Sequence, residues 1–227
     1  MSLSKRLKMV ADMVRCGSRI ADIGTDHGYL PAHLTRSGKC PCGIAADLRK
    51  GPLENARETL QIYRVEDKVQ LRLSDGLDSV LPDECDDIVF AGMGGTLIAE
   101  LLERTGWVKD KSKRIIVQPM THSEDVRRFF VNNGFKIIRE DACRDDRNYI
   151  AICAEYTGAK EEKNELYHYI GCHPIEGNEA SLNYAKKQIF RLRKRAEALE
   201  AANIQSEEKD TLFKILKQVE EAQLWQE

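Results

Sequence analysis

No stretch of this chain approaches the ~18 consecutive apolar residues of a membrane-spanning helix, and no signal-peptide core follows the basic residues near its N-terminus. The expectation is a soluble, cytoplasmic protein without a membrane partner. Charge of one sign is also missing. Against 35 Lys and Arg stand 37 Asp and Glu, a net charge of −2, so a nucleic-acid partner would have to be held by a local basic patch. The 7 cysteines are odd in number and lack framework spacing, which reads as reduced thiols. Cys40 and Cys42 flank Pro41, and with Cys143, Cys153 and Cys172-His173 they make no recognisable ligand set, so no metal is expected. What is present is a chain of 227 residues, 42% hydrophobic, long enough for one domain with a sizeable core plus an appendage.

The organising stretch is Arg19 to Pro31, R-I-A-D-I-G-T-D-H-G-Y-L-P, read as a buried strand, a glycine turn and the start of a helix. Ile20, Ala21 and Ile23 form the apolar run, Gly24 and Gly28 interrupt it, and Pro31 suits an early helical position. In an open α/β sheet such a turn lies beyond a strand's C-terminal end, near the reversal of strand order, and carries a nucleotide-like ligand. The dinucleotide fingerprint G-x-G-x-x-G is incomplete, because Asp26 occupies the place of the second glycine. A carboxylate there repels a pyrophosphate and attracts a cationic ligand without phosphate, which favours S-adenosylmethionine over NAD. Asp47, closing the next apolar run C-G-I-A-A-D-L, is placed to hold a ribose edge, a feature both ligands share.

Leu3, Leu7, Val10, Ala11 and Val14 predict an amphipathic helix before the first strand; its Lys5, Arg6 and Lys8 either touch phosphates or form a solvated face. A helix to Ser37, a strand from Gly43 to Asp47, a helix opening at Gly51 and a strand from Val69 to Leu73 follow. Asp75-Gly76-Leu77 then meets an adenine edge or makes a plain turn. A fourth strand, Asp87 to Ala91, ends in Gly92-Met93-Gly94-Gly95, where close backbone approach suits a loop on which a second substrate stacks. A fifth, Arg114 to Val117, runs into Gln118-Pro119-Met120, and Gln118 offers the donor and acceptor that read a base edge. A helix from Ser123 to Asn133 ends at Gly134, and strands Phe135 to Ala142 and Tyr149 to Tyr156 form a hairpin around R-D-D-R-N. The fold class is therefore α/β: a Rossmann-like doubly wound, mostly parallel sheet with an antiparallel edge hairpin.

The composition turns polar at Gly158 to Lys163, which sets expected domains of 1–160 and 161–227. Leu182, Ala185, Ile189, Leu192, Ala196 and Leu199, then Leu212, Ile215, Leu216 and Val219, predict an antiparallel α-helical coiled-coil hairpin. Lys186, Lys187, Arg191, Arg193, Lys194 and Arg195 crowd its first helix, forming either an RNA-phosphate patch or a face neutralised by Glu207, Glu208, Glu220 and Glu221. A hairpin that buries its own seam is expected to dock RNA and not to dimerise, which gives a monomer.

The motifs A-D-I-G-T-D-H-G-Y-L-P (Ala21 to Pro31), G-P-L-E-N-A (Gly51 to Ala56), A-G-M-G-G (Ala91 to Gly95) and Q-P-M (Gln118 to Met120) resemble the bacterial tRNA (adenine-22-N1)-methyltransferase family in their order. The resemblance implies methyl transfer from S-adenosylmethionine to N1 of an adenosine in tRNA. It implies a cofactor site of Asp22, Gly24, Asp26, His27, Gly28, Asp47, Leu48, Asp75, Gly76, Leu77, Gly92 and Met93. Asp26 and Gln118 are the implied catalytic residues. Gly94, Gly95, Gln118, Pro119 and Met120, with the six basic residues of the hairpin, are the implied substrate contacts. The chemistry agrees, since the N1 lone pair lies in the ring plane and attacks without a strong base, and the N/D-P-P-Y/F motif of exocyclic-amine methylation is absent after the fourth strand. Two other readings are an NAD-dependent oxidoreductase, against which Asp26 counts, and a non-catalytic RNA-binding protein on the same fold.

Overall fold

The computed structural model describes residues 2–172 and 178–221, so His173 lies outside the described residues. Strands β1 (Ile20–Ile23), β2 (Gly43–Asp47), β3 (Val69–Leu73), β4 (Asp87–Gly94), β5 (Arg114–Thr121), β6 (Phe135–Arg144) and β7 (Asn148–Tyr156) make one seven-stranded sheet in the order β3-β2-β1-β4-β5-β7-β6. The first five run parallel, and β7 joins β5 antiparallel with β6 outside it. Every residue of β1 and β2 is buried, as parallel strands covered on both faces require.

One face is covered by α1 (Lys5–Met13) and α2 (Tyr29–Arg36), whose Met9, Val10, Met13, Leu30 and Leu34 pack on Ile20, Val89 and Ile116. The other is covered by α4 (Gly95–Arg104) and α5 (Ser123–Asn132), through Ile98, Leu101, Leu102, Val126 and Phe130 on Ile88, Phe90 and Ile115. Helix α3 (Lys50–Tyr63) closes the β2–β3 end with Leu60 on Ala45 and Val69.

Two strands run longer than the sequence suggests. Met93 and Gly94 pair with Pro119 and Thr121 across two register shifts, so the expected glycine loop is the bulged end of β4. Pro119, which has no N–H to give a ladder, sits where the register breaks.

Beyond β7, helix α6 (Glu165–Ile170), absent from the sequence reading, precedes α7 (Glu179–Ala201) and α8 (Glu207–Glu221). Leu166 and Ile170 of α6 join Ala185, Ile189, Leu192, Ala196, Leu199, Leu212, Ile215 and Val219 in one core, so the hairpin carries a third helix. Asn178 caps α7 by accepting from Ser181 N at 3.0 Å and donates to Ala142 O of β6 at 3.0 Å. Leu182 stays partly exposed, and Tyr184 is buried in its stead. The Tyr184 hydroxyl lies 2.5 Å from Ser123 Oγ of α5, and the fully buried Arg127 of α5 pairs with Glu140 of β6 at 2.6 Å while donating to the carbonyl of His168 at 2.9 Å. The helical segment is thereby keyed into the sheet domain by buried polar contacts.

Candidate active site

The turn after β1 is folded back onto β2: the amides of Gly24 and Thr25 both donate to Ala46 O, at 2.9 and 3.0 Å. Gly24 has φ 75°, and a Cβ there would stand 2.7 Å from Met93 Sδ, so the turn and the end of β4 are in contact. Asp22, at 6% exposure, accepts from Thr25 Oγ1 at 2.7 Å. Burial pushes its carboxyl up to about 6, against the lowering effects of that bond and of the Arg6 charge.

Beyond these strand ends opens a cavity of about 380 Å³ bordered by Gly24, Asp26, Asp47, Leu48, Asp75 and Met93. Gly76, Gly92 and Leu97 also border it. It lies at the β1/β4 reversal of strand order, where open α/β sheets bind ligands. Asp47 accepts from Arg49 N through Oδ1 at 2.8 Å, which orients its other oxygen for a hydroxyl pair. Asp75 pairs with Arg104 at 2.9 Å. Leu48 and Leu97, 64% and 46% exposed, are apolar surfaces left at the mouth, suited to a flat ring. Carboxylates at strand ends beside apolar side chains fit a cationic nucleoside.

A second cavity, about 180 Å³, adjoins the first and is bordered by Arg6, Asp22, Asp26, His27, Tyr29 and Ala91. Asp26 and Gly24 border both, so Asp26 stands at the partition with its side chain 73% exposed and 3.4 Å from His27 Nε2. The His27 ring stacks on Tyr29, centroids 5.3 Å apart and 17° from parallel. Arg6 reaches in from α1 and donates to Gln118 Oε1 at 2.6 Å.

Several expected site residues fall elsewhere. Asp22, His27 and Gly28 border the second cavity and not the first, because Gly28, at φ 63°, turns the chain into α2 with only 3.0 Å between its Cβ position and Ala56 Cβ. Leu77 is a core residue at 1% exposure, packed with Ile98 and Leu101. Gln118 is fully buried with its carbonyl taken by Arg6 and its amide donating to Pro119 O at 3.1 Å, so in this conformation it presents no group to a base. Gly95 offers no open surface, since a Cβ there would stand 2.1 Å from His122 O. Gly94 lies against Thr121. Pro119 and Met120 border a separate cleft with Lys187 and Arg191. On the helical hairpin Arg195 pairs with Glu208 at 2.8 Å and Lys194 with Glu197 at 3.0 Å, the salt-bridged alternative for those two. In the sequence neither Arg6 nor Tyr29 has a place in the site: Arg6 is one of three basic residues that either touch phosphates or form a solvated face, and Tyr29 is only part of the motif from Ala21 to Pro31.

The strand order, the glycine turn after β1, the acid closing β2 and the cavity at the reversal define a Rossmann-like methyltransferase. The methyltransferase-domain family matches residues 3–153. Over 159 residues the chain is 35% identical to the tRNA (adenine(22)-N(1))-methyltransferase of Bacillus subtilis strain 168, covering 68% of this chain and 66% of that protein's length. The chain belongs to the methyltransferase-domain family. Its fold is similar to the solved structure of the B. subtilis m1A22 tRNA methyltransferase TrmK, with a TM-score of 0.82 and 27% identity over 96% of each chain. It is also similar to the Streptococcus pneumoniae protein Sp1610 in complex with S-adenosyl-L-methionine, with a TM-score of 0.79 and 26% identity over 95% of this chain and 100% of that one.

Proposed function

We propose that this protein transfers a methyl group from S-adenosylmethionine to N1 of adenosine 22 in tRNA. The observation that carries the reading is the end-to-end similarity to the B. subtilis enzyme, 96% of each chain, so that the helical segment is shared as well as the methyltransferase domain. Bound in the larger cavity, S-adenosylmethionine supplies an electrophilic methyl on a sulfonium. Asp47 takes the ribose hydroxyls, Leu48, Met93 and Leu97 pack on the adenine, and Asp22 and Asp26 give the turn a negative field for the cation.

The target base enters the second cavity, whose border with the first is Asp26. The N1 lone pair needs no base to attack; positioning two reactants at near-attack distance is the larger task. Asp26 orients the base and offsets the charge that N1 gains. The stacked His27 and Tyr29 give the purine a flat neighbour. Lys186, Lys187, Arg191, Arg193, Lys194 and Arg195 of α7 hold RNA phosphates, and Lys194 and Arg195 do so in competition with Glu197 and Glu208. The protein works as a monomer, since the α7 seam is already covered by α6 and α8.

The experiment is to incubate the protein with tRNA and S-adenosylmethionine and to map the methyl group by mass spectrometry. N1-methyladenosine at position 22 supports the reading. An unmodified tRNA together with thermal stabilisation by NAD alone overturns it in favour of an oxidoreductase.

A further inference from the structure

Between the sheet and α7 lies a cleft of about 110 Å³, separate from the two cavities of the active site, into which two of the α7 cations face. Its walls come from three separate parts of the chain: Met120 and His122 at the end of β5, Arg147 and Tyr149 at the β6–β7 hairpin, and Lys187 and Arg191 on α7. Three permanent cations border it and, among the described residues, no carboxylate does. The carboxylate beside Arg147 is Asp146, 3.9 Å away with its side chain 75% exposed, which also accepts from Tyr149 Oη at 2.7 Å. Among the described residues Lys187 and Arg191 enter no ion pair, and Arg191 has only a 3.5 Å contact with Gln188. Arg147 is held in place, its Nε donating to Tyr149 Oη at 3.0 Å.

At about 110 Å³ against about 180 and 380 Å³ for the two cavities of the active site, the cleft is the smallest of the three and suits a single anionic group. Three cations from the β6–β7 hairpin and α7, against the one exposed carboxylate of Asp146, leave a local positive well in a chain whose net charge is −2. The cleft is also next to the second cavity. The Tyr149 ring stands between them, with the Arg147 guanidinium 5.3 Å from its centroid and that of Arg6, which borders the cavity, 5.7 Å away.

We propose that this cleft binds a backbone phosphate of the tRNA next to the target nucleotide, through Arg147, Lys187 and Arg191. The inference rests on the reading of the protein as a tRNA methyltransferase and adds to it the place where the RNA backbone crosses from the helical arm to the active site. Arg147, which no motif marks, becomes a substrate-positioning residue. A phosphate anchored there limits where the next base can swing, and the second cavity is the adjoining pocket.

The test uses the full chain and compares the wild type with Arg147→Gln, Lys187→Gln and the double variant, with Arg57→Gln on α3 as a control for lost charge. Two readouts are needed: KM and kcat for tRNA methylation across salt concentrations, and pyrophosphate binding by calorimetry without RNA. The expected result for the double variant is a KM for tRNA raised about tenfold or more, with a salt slope lowered by about 1 to 2. Affinity for S-adenosylmethionine should be unchanged, and pyrophosphate binding should be lost. A KM and slope equal to those of Arg57→Gln overturn the proposal, whether or not pyrophosphate binds. If the wild type methylates no tRNA, the functional reading fails at that point, and pyrophosphate binding lost in the double variant still identifies the cleft as an anion site.

Discussion

Arg6 and Gln118, 112 residues apart, meet at 2.6 Å: the guanidinium of α1 donates to a side-chain carbonyl at the end of β5 that is otherwise sealed from solvent. The bond fastens the N-terminal helix to the end of β5, beside the second cavity that Arg6 borders. Arg6→Ala would leave a buried acceptor without its donor, a cost of about 1–3 kcal/mol. The melting temperature should fall and tRNA turnover with it, and Arg6→Lys should recover only part, because an ammonium lacks the planar fork. Thermal unfolding and steady-state kinetics of the two variants check this; an unchanged melting temperature in Arg6→Ala would show the bond to be worth nothing net.

Asp22 sets a pH dependence. Its folded value of about 6 lies above the ordinary 3.8, so the folded chain holds this proton more tightly than the unfolded chain does. Its contribution to stability is therefore fully present below the ordinary carboxylate range and is lost as pH rises through about 6. A cationic ligand favours the ionised form. Affinity for S-adenosylmethionine should be level above neutrality and weaken by up to about tenfold per pH unit below the folded value. Asp22→Asn should bind more weakly at high pH and lose the dependence. Calorimetry over a pH series reads both effects, and a flat wild-type profile would contradict them.

Asp47→Ala should weaken S-adenosylmethionine binding by about tenfold or more, since hydrogen bonds to an ionised acceptor are worth roughly 1.5–3 kcal/mol each. Fold stability should change less than affinity, because Arg49 N is the partner lost from the protein itself. Equal affinity in the variant would remove Asp47 from the site.

Gly94 and Gly95 should behave differently. A methyl at Gly95 would be driven into the His122 carbonyl at 2.1 Å, while at Gly94 it would meet Thr121 Oγ1 at 3.4 Å, an ordinary contact. Gly95→Ala should push α4 off the end of β5 and destabilise the fold strongly; Gly94→Ala should be close to neutral. Chemical denaturation of both variants decides it, and equal midpoints would mean that α4 shifts freely.

Glu140→Ala should cost about 3–5 kcal/mol, because it strands the buried Arg127 charge. The sheet domain and the helical segment should then unfold at a lower midpoint. Replacing both partners by apolar residues should recover much of the loss. A Glu140→Ala midpoint equal to wild type would show that the pair contributes no stability.

The sequence revealed the parallel half of the sheet well: β2 and β3 end where the apolar runs 43–47 and 69–73 meet polar or glycine-containing turns. Those signals are local, and so is the alternation of strand and helix that implied the fold class. Helix α6 escaped because six residues do not complete two turns, leaving no periodicity to read. The individual roles at the site depended on partners far along the chain. Gln118 looked like a base reader until Arg6 was found on its carbonyl, and the glycines after Met93 looked like an open loop until the backbone of 121–122 was found against them. A side chain's type shows what it can donate or accept, but distant packing decides whether that capacity is still available.

The buried Arg127–Glu140 pair has a consequence for how an RNA would be measured. The pair, with the Arg127 bond to the His168 carbonyl and the Tyr184–Ser123 contact, joins the arm to the sheet through α5 and β6, so the fold sets the span from the α7 cations to the partition at Asp26. On the proposed function such an enzyme would work as a ruler, selecting the nucleotide that lies one set distance from the docked backbone, so that a folded RNA is accepted by its dimensions before any base is read.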